Sequence, residues 1–163
     1  MTYEAFDAFV AARYSSLLRA AFVLTGDRGH AEDLVQAALM RSYPAWRGSA
    51  PESPEAYVRT VMVRLALRWR RRRSFGETPT EVLPEGSASD AIGALDLSLA
   101  LQAALKELTI EHRAVIVLRY LGQLSEAETA AVLGCSVGTV KSRHSRALSA
   151  LRQGGVLEER EDA

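Results

Sequence analysis

A set of hydroxyl and cationic side chains near the C-terminus has a composition and spacing suited to gripping a nucleic acid. The set contains no carboxylate and comprises Ser136, Thr139, Lys141, Ser142, Arg143 and Arg146. Cations can neutralise phosphates, while guanidinium and hydroxyl groups can also form hydrogen bonds with base edges. A solvated helix face usually mixes acids with bases, so this composition favours a DNA interface over an ordinary surface.

The residues around this set predict the helix-turn-helix that would position it. Ser125 and Glu128 have the S-x-x-E spacing of a capping box, which begins a helix. Gly134 can take the left-handed conformation that ends many helices, and Ser136 can then cap a second one. In such units the second helix enters the major groove. Its buried side is predicted at the helical spacing of Val140, His144, Ala147, Leu148 and Leu151.

Charge is distributed unevenly along the 163 residues. Lys and Arg number 20 and Asp and Glu number 20, so the formal net charge is zero. Residues 1–73 nevertheless carry a net charge of +5 and residues 101–151 a net charge of +2, whereas residues 74–100 carry 5 acids and no base. Each basic segment can attract a polyanion, because electrostatic steering depends on the local field rather than on the sum.

Three amphipathic helices are predicted in the first basic segment, over residues 3–24, 30–43 and about 54–73. A glycine-containing turn separates the first two, and a loop with two prolines over residues 46–54 precedes the third. The third helix carries an unusual number of arginines: Arg59, Arg64, Arg68 and the run 70–73. This exceeds what a helix end needs to complement its dipole, so the helix is predicted to contact phosphates.

The middle of the chain predicts a domain boundary. Residues 74–96 are rich in Gly, Pro and Ser and are expected to form an acidic flexible linker. Two further helices are predicted over residues 97–108 and 110–120, the second capped by Thr109 and with Tyr120 buried. Residues 153–163 are expected to be a disordered tail. The predicted fold class is therefore all-α, with two small helical domains and a helix-turn-helix in the second.

Several classes of protein are disfavoured by the composition. The single cysteine, Cys135, excludes an internal disulfide and suits a reducing compartment. No basic signal-peptide start and no apolar run of membrane-spanning length are apparent, so a soluble cytoplasmic protein is expected. The histidine and acids at residues 30–33 lack the second histidine of a zinc motif, so no metal or cofactor is expected. No catalytic set of residues is present, which disfavours an enzyme.

With both segments analysed, the chain resembles an extracytoplasmic-function (ECF) sigma factor of bacterial RNA polymerase, of the actinobacterial SigE-like type in the sigma-70 family. The similarity extends over about residues 5–152. In the first domain it is carried by AEDLVQ at residues 31–36, by Trp46 and by PEAYVR at residues 54–59. In the second domain it is carried by residues 115–120 and by GCSVGTVKSR at residues 134–143.

The resemblance implies a role for each domain. Residues 1–73 would be a region 2-like domain and residues 97–152 a region 4-like domain that binds the minus-thirty-five element through the polar set described first. Polymerase docking is implied for Glu32, Asp33, Leu34, Gln36 and Leu39. Melting and holding of the minus-ten element is implied for Trp46, Tyr57, Arg59, Thr60, Arg64 and Arg68. The linker would lie along the RNA exit path.

The resemblance also implies partners and reveals departures. The partners would be core RNA polymerase, through the β′ clamp helices and the β flap, promoter DNA and an anti-sigma factor, without membrane insertion. Arg64 stands where many relatives have asparagine, and Thr129 and His144 replace aliphatic residues of the helix-turn-helix core. We expect His144 to be a neutral packed histidine and Cys135 to be a small buried hydrophobe.

Two alternative functions are compatible with part of the sequence. A helix-turn-helix regulator independent of polymerase would bind promoter DNA alone, but the basic first domain and its AEDLVQ helix argue against it. A sigma-like decoy would bind polymerase without promoter DNA. The cations Lys141, Arg143 and Arg146 argue against the decoy, because such a protein would not need them.

Overall fold

The computed structural model describes residues 2–74 and 98–156, and these residues form helices and no strand. The helices are α1 (Thr2–Thr25), α2 (Arg28–Ser42), a short 3₁₀ helix (Tyr43–Trp46), α3 (Pro54–Ser74), α4 (Leu99–Lys106), α5 (Ile110–Ile116), a π-helical turn (Val117–Leu121), α6 (Glu126–Leu133) and α7 (Val137–Gln153). The chain divides into two compact units, residues 1–95 and 96–163. The predicted all-α fold is confirmed, whereas most of the predicted linker and tail lies outside the described residues.

The first unit is built from α1, α2 and α3, which pack against one another around an apolar core. Core side chains with no solvent exposure come from all three helices: Leu17, Leu24, Leu34, Val35, Val58 and Met62. The turn between α1 and α2 uses Gly26, whose φ of 70° lies in the left-handed region that favours glycine. Asp27 then caps α2, its carboxylate accepting from the backbone N–H of His30 at 2.8 Å. This junction determines where α2 begins.

Helix α1 agrees with the predicted helix over residues 3–24 to within one residue at each end, but it is more apolar than the sequence analysis allowed. Its segment Tyr3–Thr25 is long and apolar enough, by length and composition, to cross a membrane. In the structure the second half of this segment lies in the core of the first unit, with Leu17, Ala21 and Leu24 fully buried. A core helix passes the same test of length and composition, so packing against α2 and α3 is sufficient to explain why α1 is apolar.

The second unit contains α4 to α7, and the core of its helix-turn-helix joins one residue from each of three helices. These residues are Val115 of α5, Ala130 of α6 and Val140 of α7. Leu133 and Cys135 are partly buried against them. The small Ala130 side chain allows α6 and α7 to cross closely. Cys135 therefore packs as a small hydrophobe, although it is partly buried rather than buried as predicted.

The predicted start and end of each helix in the helix-turn-helix are confirmed by their hydrogen bonds. Ser125 Oγ accepts from the Glu128 N–H at 3.0 Å, and the Glu128 carboxylate accepts from the Ser125 N–H at 3.0 Å. The backbone N–H of Ser125, and then its hydroxyl, lower the pKa of the Glu128 carboxyl. Gly134 ends α6 with a φ of 66°. Ser136 begins α7 by accepting from the Thr139 N–H at 3.1 Å.

One predicted helix differs from the structure. The segment over residues 110–120 is α-helical only to Ile116 and then widens into the π-helical turn Val117–Leu121. A π turn has more residues than an α turn, so the side chains that follow are rotated from the face that a regular helix would give them. Tyr120, which was expected to be buried, is 47% exposed. Its hydroxyl instead shares a 3.0 Å hydrogen bond with His144 Nε2.

The buried hydroxyl of Thr129 should make the second unit less stable than it would be with an apolar side chain of the same shape. The side chain is fully buried, and its hydroxyl has no hydrogen-bond partner among the described residues. We expect Thr129→Val to raise the free energy of unfolding of this unit by about 1 kcal/mol, because valine has the same shape and no unpaired polar group. Thermal unfolding of the full chain followed by calorimetry would measure the shift of the second-unit transition.

The matched control is Thr109→Val, which makes the same chemical change at a helix cap. Thr109 Oγ accepts from the His112 N–H at 3.4 Å, so its loss should destabilise the unit by about 1 kcal/mol. A destabilising effect of Thr129→Val would show that its hydroxyl has a partner in solution.

Candidate nucleic-acid interface

A polar groove of about 610 Å³ lies on the second unit, between the start of α5 and the first half of α7. It is lined by Thr109, Glu111, His112, Ser136, Gly138, Thr139, Ser142, Arg143 and Arg146. Five of the six residues predicted to bind the minus-thirty-five element therefore meet at one groove. The sixth, Lys141, is exposed on the adjacent surface of α7.

The buried side of α7 determines which side chains can reach this groove. Val140, Ala147 and Leu151 are buried at 0%, 0% and 5% exposure and anchor the helix to the rest of the unit. Because 3.6 residues complete one helical turn, Lys141, Ser142 and Arg146 are turned away from this side, whereas the half-buried His144 and Leu148 flank it. Lys141 and Arg146 are exposed, and neither makes an ion pair with the described part of the chain.

Arg143 differs from the other two cations because it is half-buried. Its Nη1 atom donates to the Sγ atom of Cys135 at 4.0 Å, so the guanidinium rests beside the turn of the helix-turn-helix. The Ser136 and Thr139 hydroxyls share a 2.9 Å hydrogen bond at the start of α7. The groove thus has cations on one helix, fixed hydroxyls at its end and an imidazole on the facing helix.

Burial lowers the pKa of two histidines of the second unit, and different arginine charges add to the effect in each. Burial, followed by the charges of Arg146 and Arg143, lowers the pKa of His112, and Glu111 opposes this. Burial, followed by the charge of Arg119, lowers the pKa of His144, and Glu126 opposes this. The neutral packed state predicted for His144 agrees with this direction. His112 was not identified from the sequence, because only the fold brings α5 beside α7.

The first unit presents a second basic surface along α3. Tyr57 is 41% exposed, and Arg64 and Arg68 are exposed on the same side of the helix, seven and eleven residues later. Thr60, three residues after Tyr57, is half-buried at the edge of this surface. Arg71 and Arg72 are also exposed. We call the side chains of Tyr57, Thr60, Arg64 and Arg68 the α3 surface.

Arg59 does not belong to this surface, although it was expected to. It is only 7% exposed, and its Nη2 atom lies 2.8 Å from Oε1 of Glu55. The same carboxylate accepts from the Ser16 hydroxyl at 2.7 Å and lies 3.6 Å from Arg13 Nε. The physical reason is the helical period: Arg59 lies three and four residues before the fully buried Met62 and Val63, so it shares their inward face.

Trp46 is also placed differently from the expectation. Its side chain is 2% exposed and packs in the first unit against Phe6, with ring centroids 5.1 Å apart, and Phe9, at 5.2 Å. The loop over residues 46–54 was expected to present this indole for the minus-ten element. The 3₁₀ helix instead places it inward, because a large apolar ring gains more free energy when buried.

The residues predicted to dock polymerase divide into buried and exposed members. Leu34 and Leu39 are 0% and 9% exposed and serve the core, whereas Asp33 and Gln36 are exposed. Glu32 is half-buried and forms a 2.9 Å ion pair with Arg28. The accessible part of the predicted docking set is therefore smaller than the sequence analysis suggested.

Sequence analysis missed one exposed residue on α2. Met40 is 77% exposed and borders an apolar groove of about 390 Å³, which is lined by Tyr3, Phe6, Asp7, Leu39, Met40 and Tyr43. Asp33, Gln36 and Met40 follow one another at i, i+3 and i+7, which is the spacing of one helix face. That spacing was the signal by which the sequence could have revealed Met40.

Comparison with known proteins identifies both units. Residues 9–75 match the family described as Sigma-70 region 2, and residues 98–151 match Sigma-70, region 4. The chain is 43% identical over 149 residues to the RNA polymerase sigma-E factor of Streptomyces avermitilis, covering 91% of this chain and 83% of that protein. It is 39% identical over 142 residues to the ECF RNA polymerase sigma factor SigL of Mycobacterium tuberculosis, covering 83% and 80%.

Solved structures of sigma factors are also similar to this chain. The sigma factor RpoE, in complex with the anti-sigma factor NepR from Bartonella quintana, has a TM-score of 0.67 and 27% identity, covering 95% of this chain and 99% of that one. The extracytoplasmic function sigma factor SigJ of Mycobacterium tuberculosis has a TM-score of 0.61 and 32% identity, covering 90% of this chain and 53% of that one.

Proposed function

The chain belongs to the extracytoplasmic-function sigma factors of the sigma-70 family, of the actinobacterial SigE type, which direct promoter-specific transcription initiation, and from this premise we propose how its surfaces divide the work. It acts by binding rather than by catalysis: the first unit docks on core RNA polymerase and holds the melted minus-ten element, and the second binds the minus-thirty-five duplex. The observation that carries the proposal is the carboxylate-poor groove at the start of α7, with cations beside fixed hydroxyls.

The second unit would place α7 in the major groove of the minus-thirty-five element. Helix-turn-helix proteins use the N-terminal part of the second helix for base edges and flanking cations for phosphates. Arg143 is half-buried beside the turn and so has less freedom than the other two cations, which makes it the candidate for a bidentate base contact. The exposed Lys141 and Arg146 suit phosphates, which require charge rather than a fixed geometry.

The α3 surface would hold the non-template strand of the minus-ten element. Single strands are bound by aromatic rings that stack on bases and by cations that follow the backbone, and this surface combines Tyr57 with Arg64 and Arg68. Trp46 and Arg59 would support the surface from within, one through the aromatic core and the other through Glu55. A base leaving the duplex costs a few kcal/mol, which stacking offsets.

Core polymerase would contact the exposed face of α2 through its β′ clamp helices. Asp33 and Gln36 supply polar contacts on this face, and Met40 supplies an apolar one. Methionine suits such surfaces because its flexible side chain adapts to the partner. Contact between the second unit and the β flap is proposed from family membership alone.

An anti-sigma factor is the further partner that we propose. The solved relative RpoE is described as a complex with the anti-sigma factor NepR. A protein that must reach polymerase and promoter DNA would work in the cytoplasm, with α1 retained in its helical core rather than in a membrane.

The direct test of the proposal is reconstituted transcription. Core RNA polymerase with this protein should initiate at a restricted set of sites on genomic DNA, and core polymerase alone should not. If the protein binds promoter duplexes without core polymerase and does not stimulate initiation, a polymerase-independent regulator is indicated. If it binds core polymerase and only lowers initiation by other factors, a decoy is indicated.

The docking face permits a sharper prediction. The double variant Asp33→Ala with Gln36→Ala should weaken binding to core polymerase about thirtyfold, at roughly 1 kcal/mol for each lost contact. Duplex DNA binding by the full chain should not change, because both residues lie in the other unit. Titration of labelled protein with core polymerase would measure the first quantity.

A matched control removes one acid and one amide elsewhere. Glu107 and Gln153 are exposed residues of the second unit, and their replacement by alanine makes the same chemical change away from α2. Equal core-binding affinities for the two double variants would contradict the docking assignment.

A further inference from the structure

The polar groove contains an imidazole from α5 that faces the cations of α7. We propose that a DNA backbone phosphate binds in this groove between His112 and Arg146, and that His112 takes up a proton when it binds. The inference rests on the DNA-binding function proposed for α7 and extends the interface to a second helix. It makes the affinity of the second unit for DNA depend on pH near neutrality.

The Thr109 hydroxyl holds the His112 ring in one orientation. Its Nδ1 atom shares a short hydrogen bond with the Thr109 hydroxyl, which also caps α5 by accepting from the His112 N–H. The ring is therefore oriented, and Nε2 is the atom that remains to donate to a ligand. The Thr109 hydroxyl can donate to a neutral ring or accept from a charged one, so protonation does not require the cap to break.

The charges that face this ring are mainly positive. Arg146 and Arg143 face it from α7, while Glu111 lies beside it on α5. Arg113, also on α5, instead directs its Nε atom to the Leu105 carbonyl oxygen at 2.9 Å. Two cations against one carboxylate leave the groove attractive to an anion, and a phosphate also needs hydrogen-bond donors, which Arg146 and a protonated His112 supply.

Phosphate binding and protonation of His112 should favour each other. In the free protein, burial and the two guanidinium charges keep the pKa of His112 below its ordinary value. A bound phosphate offsets those charges and gives the protonated ring a partner, so binding should raise this pKa. A complex that binds more protons than the free protein gains affinity as the pH falls. The gain begins at the pKa of His112 in the complex and is complete below its pKa in the free protein.

His144 provides an internal comparison in the same unit. Its Nε2 atom is already bonded to the Tyr120 hydroxyl at 3.0 Å, and it does not line the groove. The remaining histidine, His30, lies in the first unit beside Asp27. Because the chain has only three histidines, each can be assigned by a single substitution and followed separately.

The first experiment is an NMR titration of the three Cε1–H resonances in the full chain. The titration is performed on the chain alone, on the chain with a mixed-sequence duplex of about 20 base pairs at low ionic strength, and on the chain with inorganic phosphate. A backbone contact does not need the promoter sequence, so this duplex is a sufficient probe. We expect the duplex to raise the pKa of His112 and leave that of His144 in place. An equal rise with inorganic phosphate, at the same concentration of phosphate groups, would indicate a free-anion site instead.

The second experiment measures duplex affinity by fluorescence anisotropy between about pH 8 and pH 6. Wild-type affinity should rise at least about threefold on acidification, with a limit of about tenfold for each unit by which the pKa rises. The slope of affinity against salt should also steepen by about one unit at the lower pH, because one more cation contacts a phosphate. His112→Gln should lose both changes, whereas His144→Gln should keep them.

These outcomes separate the inference from the proposed function. If the duplex binds and the pKa of His112 does not rise, the phosphate contact is wrong and DNA binding by α7 stands. If the duplex fails to bind at low salt, both are wrong. If His112→Gln unfolds the unit, the NMR titration still decides the matter because it uses the unsubstituted chain: a pKa of His112 that stays unchanged with the bound duplex overturns the inference.

Discussion

Replacing Lys141, Arg143 and Arg146 together by alanine is expected to lower the affinity of the full chain for its promoter duplex by about a hundredfold at low salt. The estimate assigns roughly 1 kcal/mol to each cation, at the lower end of the range for a good base contact. The fold should survive, because the buried side of α7 is formed by other residues. The promoter duplex is taken from the sites found by reconstituted transcription.

The single variants divide this loss between two kinds of contact. A phosphate contact should weaken binding to promoter and scrambled duplexes equally and reduce the salt slope by about one unit. A base contact should weaken binding to the promoter alone, by about 1–3 kcal/mol, and relax specificity at one position. We expect the first result for Lys141→Ala and Arg146→Ala and the second for Arg143→Ala.

The control is Arg152→Ala, which removes an exposed arginine from the last turn of the same helix, outside the groove. Its affinity should remain close to that of the wild type on both duplexes. If the three groove-side variants also retain wild-type affinity, α7 does not contact DNA and the polymerase-binding decoy becomes the better explanation.

Trp46→Ala is expected to destabilise the first unit by about 3–5 kcal/mol, which is the usual effect of deleting a buried indole. The ring is 2% exposed and makes an edge-on contact with Phe6, with an interplanar angle of 80°. Its removal leaves a cavity between the start of α1 and the 3₁₀ helix that the neighbouring rings cannot fill. Denaturant unfolding of the full chain would measure the loss of stability, with amide hydrogen exchange of α1 and α2 residues as the readout for the first unit.

Trp46→Phe serves as the matched variant, since it keeps an aromatic ring in the same core. It should cost less than the alanine substitution, because a smaller volume is lost. A stably folded Trp46→Ala protein that fails to melt promoters would contradict the packing role. That result would restore Trp46 as a direct contact of the minus-ten element, as the resemblance implied.

The start and end of each helix in the helix-turn-helix could be predicted because cap chemistry is local. Ser125 and Glu128 are three residues apart, and Gly134 and Ser136 are two apart, so their interactions need no distant partner. The polar face of α7 was predictable for the same reason, since helical periodicity alone sorts its residues into two sides. The all-α class could be predicted from the same local periodicity, and the family motifs are short continuous segments.

The tertiary structure decided which members of each predicted set are accessible. Arg59 and Arg64 look alike in the sequence, but the first is buried in an ion pair with Glu55 of its own helix, which Ser16 of α1 also contacts, and the second stays in solvent. Trp46 was predicted to be in a surface loop, yet its ring contacts Phe6 and Phe9, which lie about forty positions earlier in the chain. Such contacts depend on how helices pack, which local spacing does not encode.

Sequence by itself therefore determined the helices, their caps and the chemistry of the recognition face, because these depend on neighbours within about four residues. Only the tertiary structure brought His112 of α5 beside Arg146 of α7, residues thirty-four positions apart, and turned Tyr120 outward through a π-helical turn. The charge environment of a histidine is set by groups that surround it in space. For that reason the proton-linked phosphate contact could be inferred from the fold and not from the sequence.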